Sequence, residues 1–102
     1  MVEMFITEFV INNHRFNVET THHALKRMEQ RRVDKYVVAG IILCLGERLL
    51  EYNNSGEEVA IIDQNNNVTV IIQVRHYKAV VITVINRTEV YIREGTKMEE
   101  IA

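Results

Sequence analysis

Residues 68–85 read VTVIIQVRHYKAVVITVI, two apolar runs joined by the polar stretch Arg75 to Lys78. In both runs, Val68 to Val74 and Ala79 to Ile85, apolar residues occupy odd and even positions alike. Because successive side chains of a β-strand point to opposite faces of the sheet, this pattern is typical of strands covered on one face and partly on the other. The stretch therefore predicts two central strands of an antiparallel sheet.

The segments on either side of these two predicted strands also alternate between strands and turns. Further strands are predicted at Arg48 to Tyr52, Val59 to Asp63 and Glu89 to Arg93. Short polar stretches separate them, and such spacing favours consecutive antiparallel hairpins. The mixed charges of residues 94–102 predict a frayed tail or a weak terminal turn.

The N-terminal half begins with a predicted hairpin and then changes period. Met4 to Ile11 and Arg15 to Thr20 are predicted strands on either side of Asn12-Asn13, which suits a turn because Asn tolerates a left-handed backbone. From His22 to about Gln30 no Gly or β-branched residue opposes a helix, and either of the two preceding threonines can cap it.

A second helix is predicted from Lys35 to about Leu45, with Asp34 as its cap and Gly46 at its end. It is apolar nearly all round, so we expect it to be the buried helix and to carry Cys44 into the core. Gly40 in its middle costs about 1 kcal/mol relative to Ala. That cost suggests close packing against another element.

The predicted fold class is α+β: an N-terminal β-hairpin, two short helices, then an antiparallel meander of four to five strands, with the helices packed on one face. A chain of 102 residues with 47% hydrophobic and 25% charged residues has ordinary globular composition. Residues 1–102 are therefore expected to form a single domain. At this size roughly two-thirds of the unfolded surface is buried on folding, which suffices without disulfides or a structural metal.

Cysteine usage and hydropathy predict the compartment. The single cysteine cannot form an internal disulfide, which suits a reducing cytoplasm. Met1 to Val10 carries Glu3 and Glu8 and lacks the basic start and apolar stretch of a secretory signal. The longest apolar runs fall well short of the ~20 residues that a membrane helix needs. We therefore expect a cytoplasmic protein that does not enter a membrane.

Charge is distributed unevenly along the chain. The net charge of −2 and the pI of about 6.1 give no global case for nucleic-acid binding. Between His22 and Lys35, however, five Lys and Arg residues face two acidic residues. One face of the molecule is therefore expected to be basic within an acidic whole.

The most informative residues are His23, Arg27 and Arg31, which follow one another at intervals of four. On a helix they form a stripe that drifts by about 40° per step. Histidine exchanges protons near neutral pH, and guanidinium groups offer forked donors that suit phosphate or carboxylate. A solvated basic helix face has the same residues, and spacing alone does not decide between a site and such a face.

Thr83 and the polar turn add to the candidate set. Thr83 carries the lone hydroxyl in the apolar run Val80 to Ile85. Its hydroxyl either bonds to nearby backbone or, if the side chain points towards the first helix, meets the histidine and arginine side chains of that helix around one phosphate. Arg75, Tyr77 and Lys78 bring together basic and aromatic groups that can hold a phosphate or stack a base. A polar hairpin tip has a similar composition.

Other chemistries leave no signature. The four histidines and the cysteine lack zinc-ligand spacing beyond the adjacent His22-His23, whose side chains point about 100° apart on a helix. The chain has no phosphate-binding glycine loop and no Gly-x-Ser-x-Gly elbow. The sequence predicts neither a metal site nor a cofactor.

Residues 21–33, THHALKRMEQRRV, followed by Gly46-Glu47 and Val81 to Val84, resemble the bacterial domain-of-unknown-function family 4258. That family's pattern is roughly His-Ala-x-x-Arg-Met-x-x-Arg-x-Ile, then a glycine-acid pair, then a strand ending in an Ile-Thr-Val-like run. The resemblance covers about residues 20–86. By this pattern the family positions fall on His23, Arg27, Arg31 and Thr83.

The resemblance implies a relative of RelE- and BrnT-type toxins, with the barnase/EndoU/colicin/RelE-like fold and metal-independent ribonuclease activity in a toxin–antitoxin system. It implies that His23 acts as acid or base, that Arg27 and Arg31 hold the scissile phosphate, and that the 2′-hydroxyl of RNA is the nucleophile. Thr83 would then be an orienting or transition-state hydroxyl. Substrate-binding residues are expected at Lys26, Arg32, Arg75, Tyr77 and Lys78. The implied partners are RNA and a cognate inhibitor protein.

Two other hypotheses stay open. The chain is alternatively a non-catalytic module that binds RNA, another protein or a second copy of itself through the sheet. In that case His23, Arg27 and Thr83 diverge in space and a homodimer is expected. A third hypothesis is a binder of small anions that uses the same arginines.

Overall fold

The computed structural model describes residues 3–101. In chain order the elements are β1 (Glu3–Ile11), β2 (His14–Thr21), α1 (His22–Gln30), α2 (Lys35–Leu43), α3 (Arg48–Ser55), β3 (Glu58–Asp63), β4 (Val68–Arg75), β5 (Lys78–Ile85) and β6 (Lys97–Ile101). The six strands form one sheet in the order β1-β2-β5-β4-β3-β6. The helices pack against one face, which we name the helix face; the other is the open face. The predicted α+β class is confirmed.

The predicted N-terminal hairpin is confirmed, and the two residues of its turn explain why the strands pair. β1 and β2 pair antiparallel around Asn12 and Asn13, whose φ angles are 48° and 66°. Two successive left-handed residues make the mirror-image turn whose twist matches that of the paired strands, and Asn adopts it at low cost. The register shifts between Phe5 and Thr7, which leaves Ile6 as a bulge on the edge strand.

The two strands predicted to be central do lie inside the sheet. β4 and β5 pair antiparallel with each other, and β4 pairs antiparallel with β3. The sheet is nevertheless mixed, because β2 pairs parallel with β5 and β3 pairs parallel with β6. Parallel neighbours need long crossover connections. The residues between β2 and β5, which include all three helices, make one such crossover. The predicted antiparallel meander is present as β3, β4 and β5, and the parallel pairings on its two sides were not predicted.

The predicted strand at residues 48–52 is instead the first part of α3. Leu49 is buried and Tyr52 packs against the core, a spacing of three that places both side chains on one face of a helix. The helix ends at Gly56, whose φ of 68° is the left-handed conformation that closes many helices. A window of five residues is too short to separate helical from strand periodicity.

The C-terminal segment also differs from the prediction. Residues 89–93 belong to an irregular connection, 86–96, and the residues expected to fray form β6 as far as Ile101, while Ala102 lies outside the described residues. β5 lies inside the sheet and β6 lies beyond β3, so the connection has to cross β4 and β3. The local sequence pattern of residues 89–93 predicts a strand because it carries no information about that crossing.

Hydrogen bonds that involve Arg87, Arg93 and Thr96 fasten the 86–96 connection to open-face residues of the sheet. Thr69 Oγ1 of β4 donates to the carbonyl oxygen of Arg87 at 2.8 Å. Thr96 Oγ1 donates to Glu58 Oε1 of β3 at 2.9 Å. The connection therefore covers the part of the open face nearest β3 and leaves the part around β5 and β2 uncovered.

α1 and α2 begin where the sequence predicts, but α2 is only half buried. The largest fully buried side chains are Phe16, Met28, Ile42, Leu49, Ile61 and Ile72. Tyr36 and Leu43 on α2 are exposed, and so is Cys44, which contradicts its predicted burial. A Cβ placed on Gly40 would meet no atom within 4 Å, so the predicted close contact is also wrong. An apolar run predicts a buried helix only if elements cover both of its sides, and the outer side of α2 faces solvent.

Within residues 3–101, none of the helices has the length and apolar character needed to cross a membrane.

Candidate functional site

A bulge in β5 shapes the uncovered part of the open face. The register of β4 and β5 pairs Ile72 with Val81 and then Ile71 with Thr83, so Ile82 is an extra residue on β5. Val81 belongs to the hydrophobic core and Thr83 does not. Thr83 therefore lies half-buried on the open face, and the bulge is what places it there.

Two adjoining hollows form what we name the open-face groove. The first, of about 360 Å³, is lined among others by Glu3, Gln73, Arg75, His76 and Lys78. The second, of about 320 Å³, is lined by Thr21, Ile82, His22 and His23. Thr21 and Ile82 also line the first hollow and so join the two. The groove thus places the predicted catalytic His23 and two predicted substrate-binding residues, Arg75 and Lys78, along one surface feature.

The start of α1 explains why histidines reach the groove. Thr21 ends β2 and caps α1, since its Oγ1 accepts the N–H of Ala24 at 3.0 Å. A threonine cap satisfies a first-turn N–H group that the helix itself cannot pair. α1 then buries Ala24 and Met28 against the sheet, which leaves His22 and His23 exposed at the groove.

The cations on α1 and in the turn after it lack acidic partners. Within residues 3–101, the ion pairs engage only Arg15, Arg48, Lys78 and Arg93. The unpaired set at α1 is Lys26, Arg27, Arg31 and Arg32. Arg27 and Arg31 are half-buried, while the other two are exposed. Unpaired guanidinium groups remain available to an anionic ligand.

His23 and Arg31 open onto different hollows. Arg31 lines a third hollow of about 290 Å³, together with Arg32 and Asn86 among others. Arg31 lies eight positions after His23, about 12 Å of helix rise. Arg27 and Thr83 line none of these three hollows, although Thr83 directly follows Ile82, which lies beside His23.

Two carboxylates already bind the ammonium group of Lys78. Its Nζ lies 3.9 Å from Glu3 Oε1 and 3.7 Å from Glu19 Oε1. Glu19 is buried, so Lys78 balances a charge that would otherwise be costly. Arg75, by contrast, is exposed and has no acidic partner within residues 3–101. Of the two predicted substrate-binding cations at the groove, Arg75 is the one free to bind an anion.

Sequence reasoning missed Glu3, Gln73 and His76, which line the groove, and Glu19, which pairs with Lys78 there. Glu3 and Glu19 come beside β5 through the parallel pairing of β2 with β5. No local pattern signals that pairing, because the two strands are far apart in the chain. His76 adjoins predicted residues in the turn and could have been included on that ground.

The aromatic residue of the turn, Tyr77, lies outside the groove. Its ring stacks on that of His14 and meets the ring of the core residue Phe16 edge to face. The predicted turn residues therefore divide between two sites: Arg75 and Lys78 line the groove, and Tyr77 joins the β1–β2 hairpin. His14 was not predicted as a site residue, and only the pairing of strands reveals it.

A separate group of charges ties β6 to α3. Glu99 of β6 is buried and accepts hydrogen bonds from the guanidinium of Arg48 and the hydroxyl of Tyr52. Burial raises the pKa of Tyr52 from 10.0 to about 12, and the hydrogen bond to Glu99 and the charge of Glu99 act in the same direction. These contacts lie far from the groove along the sheet, whose opposite edge β6 forms.

No three His, Cys, Asp or Glu side chains among residues 3–101 are grouped so as to hold a metal ion. Comparison with models of protein families, with curated proteins and with solved structures finds no match. The resemblance to family 4258 and the toxin fold that it implies stay predictions. The function is therefore argued from α1 and the groove.

Proposed function

We propose that the protein binds RNA along α1 and the open-face groove and cleaves it as a metal-independent, toxin-like ribonuclease. One observation carries the proposal: the cations of α1 have no acidic partner within residues 3–101, and the histidine end of the same helix opens onto the groove. Unpaired surface cations attract the phosphate backbone, which supplies most of the affinity in non-specific binding of nucleic acids.

The proposed reaction is an internal transfer at phosphorus. The 2′-hydroxyl oxygen attacks the adjacent phosphorus as its proton passes to a base. The bond to the 5′-oxygen breaks and that oxygen takes up a proton, which leaves a 2′,3′-cyclic phosphate and a 5′-hydroxyl. His23 serves as acid or base, Arg27 binds oxygens of the scissile phosphate, and Thr83, next to the hollow of His23, orients that phosphate. Arg31, which opens onto a different hollow, binds a neighbouring phosphate of the same strand.

Lys26, Arg32, Arg75 and Lys78 complete the proposed RNA surface, with the cation of Arg75 freer than that of Lys78. A cytoplasmic ribonuclease of this type requires a cognate inhibitor protein, since the RNA of its own cell is a substrate. An acidic inhibitor that covers α1 would block the phosphate-binding cations and His23 together. Both the cytoplasmic location and the inhibitor belong to the proposal.

Non-catalytic RNA binding is the second candidate, and the surroundings of His23 favour it. His23 is exposed and makes no side-chain hydrogen bond within residues 3–101. Catalytic imidazoles are commonly oriented by a hydrogen-bonding partner. Under this alternative α1 binds RNA through the same cations and cleaves nothing.

Cleavage of an end-labelled single-stranded RNA tests the two candidates. We expect His23→Ala to cleave about 100-fold more slowly than the wild type, a typical loss for a general acid or base. His22→Ala is the matched control, because His22 is also exposed and lines the same hollow but lies outside the family pattern. EDTA should leave the rate unchanged. Binding without cleavage by all three proteins supports the non-catalytic candidate, and a wild type that binds no RNA contradicts both.

A further inference from the structure

The β4–β5 turn holds bulky residues in an unusual backbone conformation. His76 and Tyr77 both have left-handed φ angles, of 54° and 57°. The β1–β2 turn adopts the same arrangement with Asn12 and Asn13, whose short polar side chains favour it. A tyrosine at positive φ is strained, and such residues persist only where their surroundings hold them, commonly at functional positions.

Four contacts hold Tyr77 in place. Asn53 Oδ1 of α3 accepts its N–H at 2.7 Å, and its carbonyl oxygen accepts the N–H of Asn17 at 3.0 Å. Its ring stacks on that of His14, with centroids 5.4 Å apart and planes 4° apart. Phe16 meets the same ring edge to face at 5.6 Å. The strained backbone therefore presents a ring of fixed position and orientation.

The aromatic stack begins in the core and ends in solvent. Phe16 is fully buried, Tyr77 is 42% exposed and His14 is exposed. Arg75, the unpaired cation at the end of β4, lies two residues from Tyr77 and lines the open-face groove. Exposed rings beside cations are the arrangement with which proteins bind single-stranded nucleic acids, a base on the ring and a phosphate on the cation.

We propose that His14 and Tyr77 form a stacking site for one unpaired base of single-stranded RNA, with Arg75, on the groove side of the same turn, binding a phosphate of the same strand. The inference rests on the proposed function, since it specifies the form of RNA that the protein takes. A base can extend the stack only if it is free of its own neighbours, so a duplex does not fit. Every base has a flat face, so the site selects single strands without selecting a sequence.

Fluorescence of one introduced tryptophan tests the site directly. The chain has no Trp, so Tyr77→Trp adds a single reporter. The probe is a 2′-O-methyl oligonucleotide, which cannot be cleaved because its 2′-oxygen is blocked. The control ligand is an oligomer with the same backbone but no bases. Tyr36→Trp is the matched control, since Tyr36 is 60% exposed on α2, away from the turn. We expect saturable quenching of Tyr77→Trp by the oligonucleotide with bases only, and none of Tyr36→Trp.

Affinity gives a second measure. His14→Ala removes the outermost ring of the stack and Tyr77→Ala the ring beneath it, and either should weaken binding of the base-bearing oligonucleotide about 5- to 150-fold, the effect of losing one stacked base. Tyr77→Phe should keep the affinity, and so should Tyr91→Ala, whose ring is 95% exposed in the 86–96 connection. If the wild type binds the oligonucleotide but Tyr77→Trp is not quenched, or Tyr36→Trp is quenched equally, the stacking site is wrong while RNA binding through α1 stands. A wild type that binds no RNA overturns both.

Discussion

The helices α1 and α3 have similar lengths but use their charges in opposite ways. On α3, Arg48 and Tyr52 both bind the buried Glu99 of β6. On α1 and at its C-terminal cap, Arg27 and Arg31 have no acidic partner within residues 3–101. The paired charges hold an edge strand in place, while the unpaired ones contribute nothing evident to the fold. The charges of the two helices are therefore divided between a structural cluster and a set of unpaired cations, which we propose bind RNA.

The positions of the helices in the fold explain the difference. α3 packs on β4, beside strands whose register brings the carboxylate of Glu99 to the helix face opposite Ile61. β2 ends at Thr21, whereas its parallel neighbour β5 continues to Ile85, so α1 packs beside the remaining length of β5. Within residues 3–101, no ion pair brings a carboxylate of another element to the cations of α1. Substitutions in the two helices should accordingly separate stability from binding.

The largest loss of stability is expected at Glu99. Glu99→Gln removes the charge that accepts hydrogen bonds from Arg48 and Tyr52, and bonds to a charged group contribute about 2 kcal/mol to the free energy of unfolding. Urea unfolding measures the loss. Glu100→Gln is the matched control, since Glu100 is exposed and accepts a single bond, from Gln64 Nε2 at 3.1 Å. Equal effects of the two substitutions would contradict a structural role for the α3–β6 cluster.

Tyr52 makes the same cluster sensitive to alkaline pH. Its pKa is about 12 in the folded protein, against an ordinary value of 10.0, so folding favours the neutral hydroxyl. A pKa raised by folding adds stability that is complete below the unfolded pKa and is lost as pH rises through the folded one. Between pH 10 and pH 12 the Tm of the wild type should therefore fall more steeply than that of Tyr52→Phe. Parallel curves in thermal unfolding would refute the linkage.

A smaller, stabilising effect is expected from a substitution at Gly40, on the solvent-facing side of α2. Gly40→Ala should raise the free energy of unfolding by about 1 kcal/mol, because Ala suits a helix better and the added Cβ meets open space. Gly56→Ala should do the opposite by a similar amount, since the φ of 68° at Gly56 strains any residue with a Cβ. Urea unfolding of both variants checks the signs. A destabilised Gly40→Ala would mean that the outer side of α2 is covered in solution.

Local chemistry made parts of the fold predictable. Asn12-Asn13 specifies its turn, Thr21 and Asp34 cap their helices as expected, and the apolar run of residues 68–85 identifies the interior strands. The failures lie where distant segments meet. β6 pairs with β3 across a connection that has no regular structure, and no periodicity predicts which strand a tail will join.

The candidate site divides in the same way. The stripe of α1 follows from helical spacing, so its residues could be named from the sequence. Glu19 could not, because it meets Lys78 only through the parallel pairing of β2 and β5. The orientation of Thr83 depends on the bulge at Ile82. Because odd and even positions of β5 are both apolar, the sequence pattern gives no sign of that bulge. His14 and Tyr77 meet for a similar reason, across two hairpins.

The smallest effect on stability is expected from substitutions of the α1 arginines, which have the largest proposed effect on RNA binding. Arg27→Gln/Arg31→Gln should change the free energy of unfolding by less than about 0.5 kcal/mol, because neither guanidinium has a partner to lose. The slope of log affinity for single-stranded RNA against log salt should become shallower by about 1.4, since each phosphate contact contributes about 0.7. Arg48→Gln should show the reverse: lower stability and an unchanged slope. If the α1 variant unfolds more easily while its salt slope stays the same, its arginines belong to the fold, and the division of charge between the two helices is wrong.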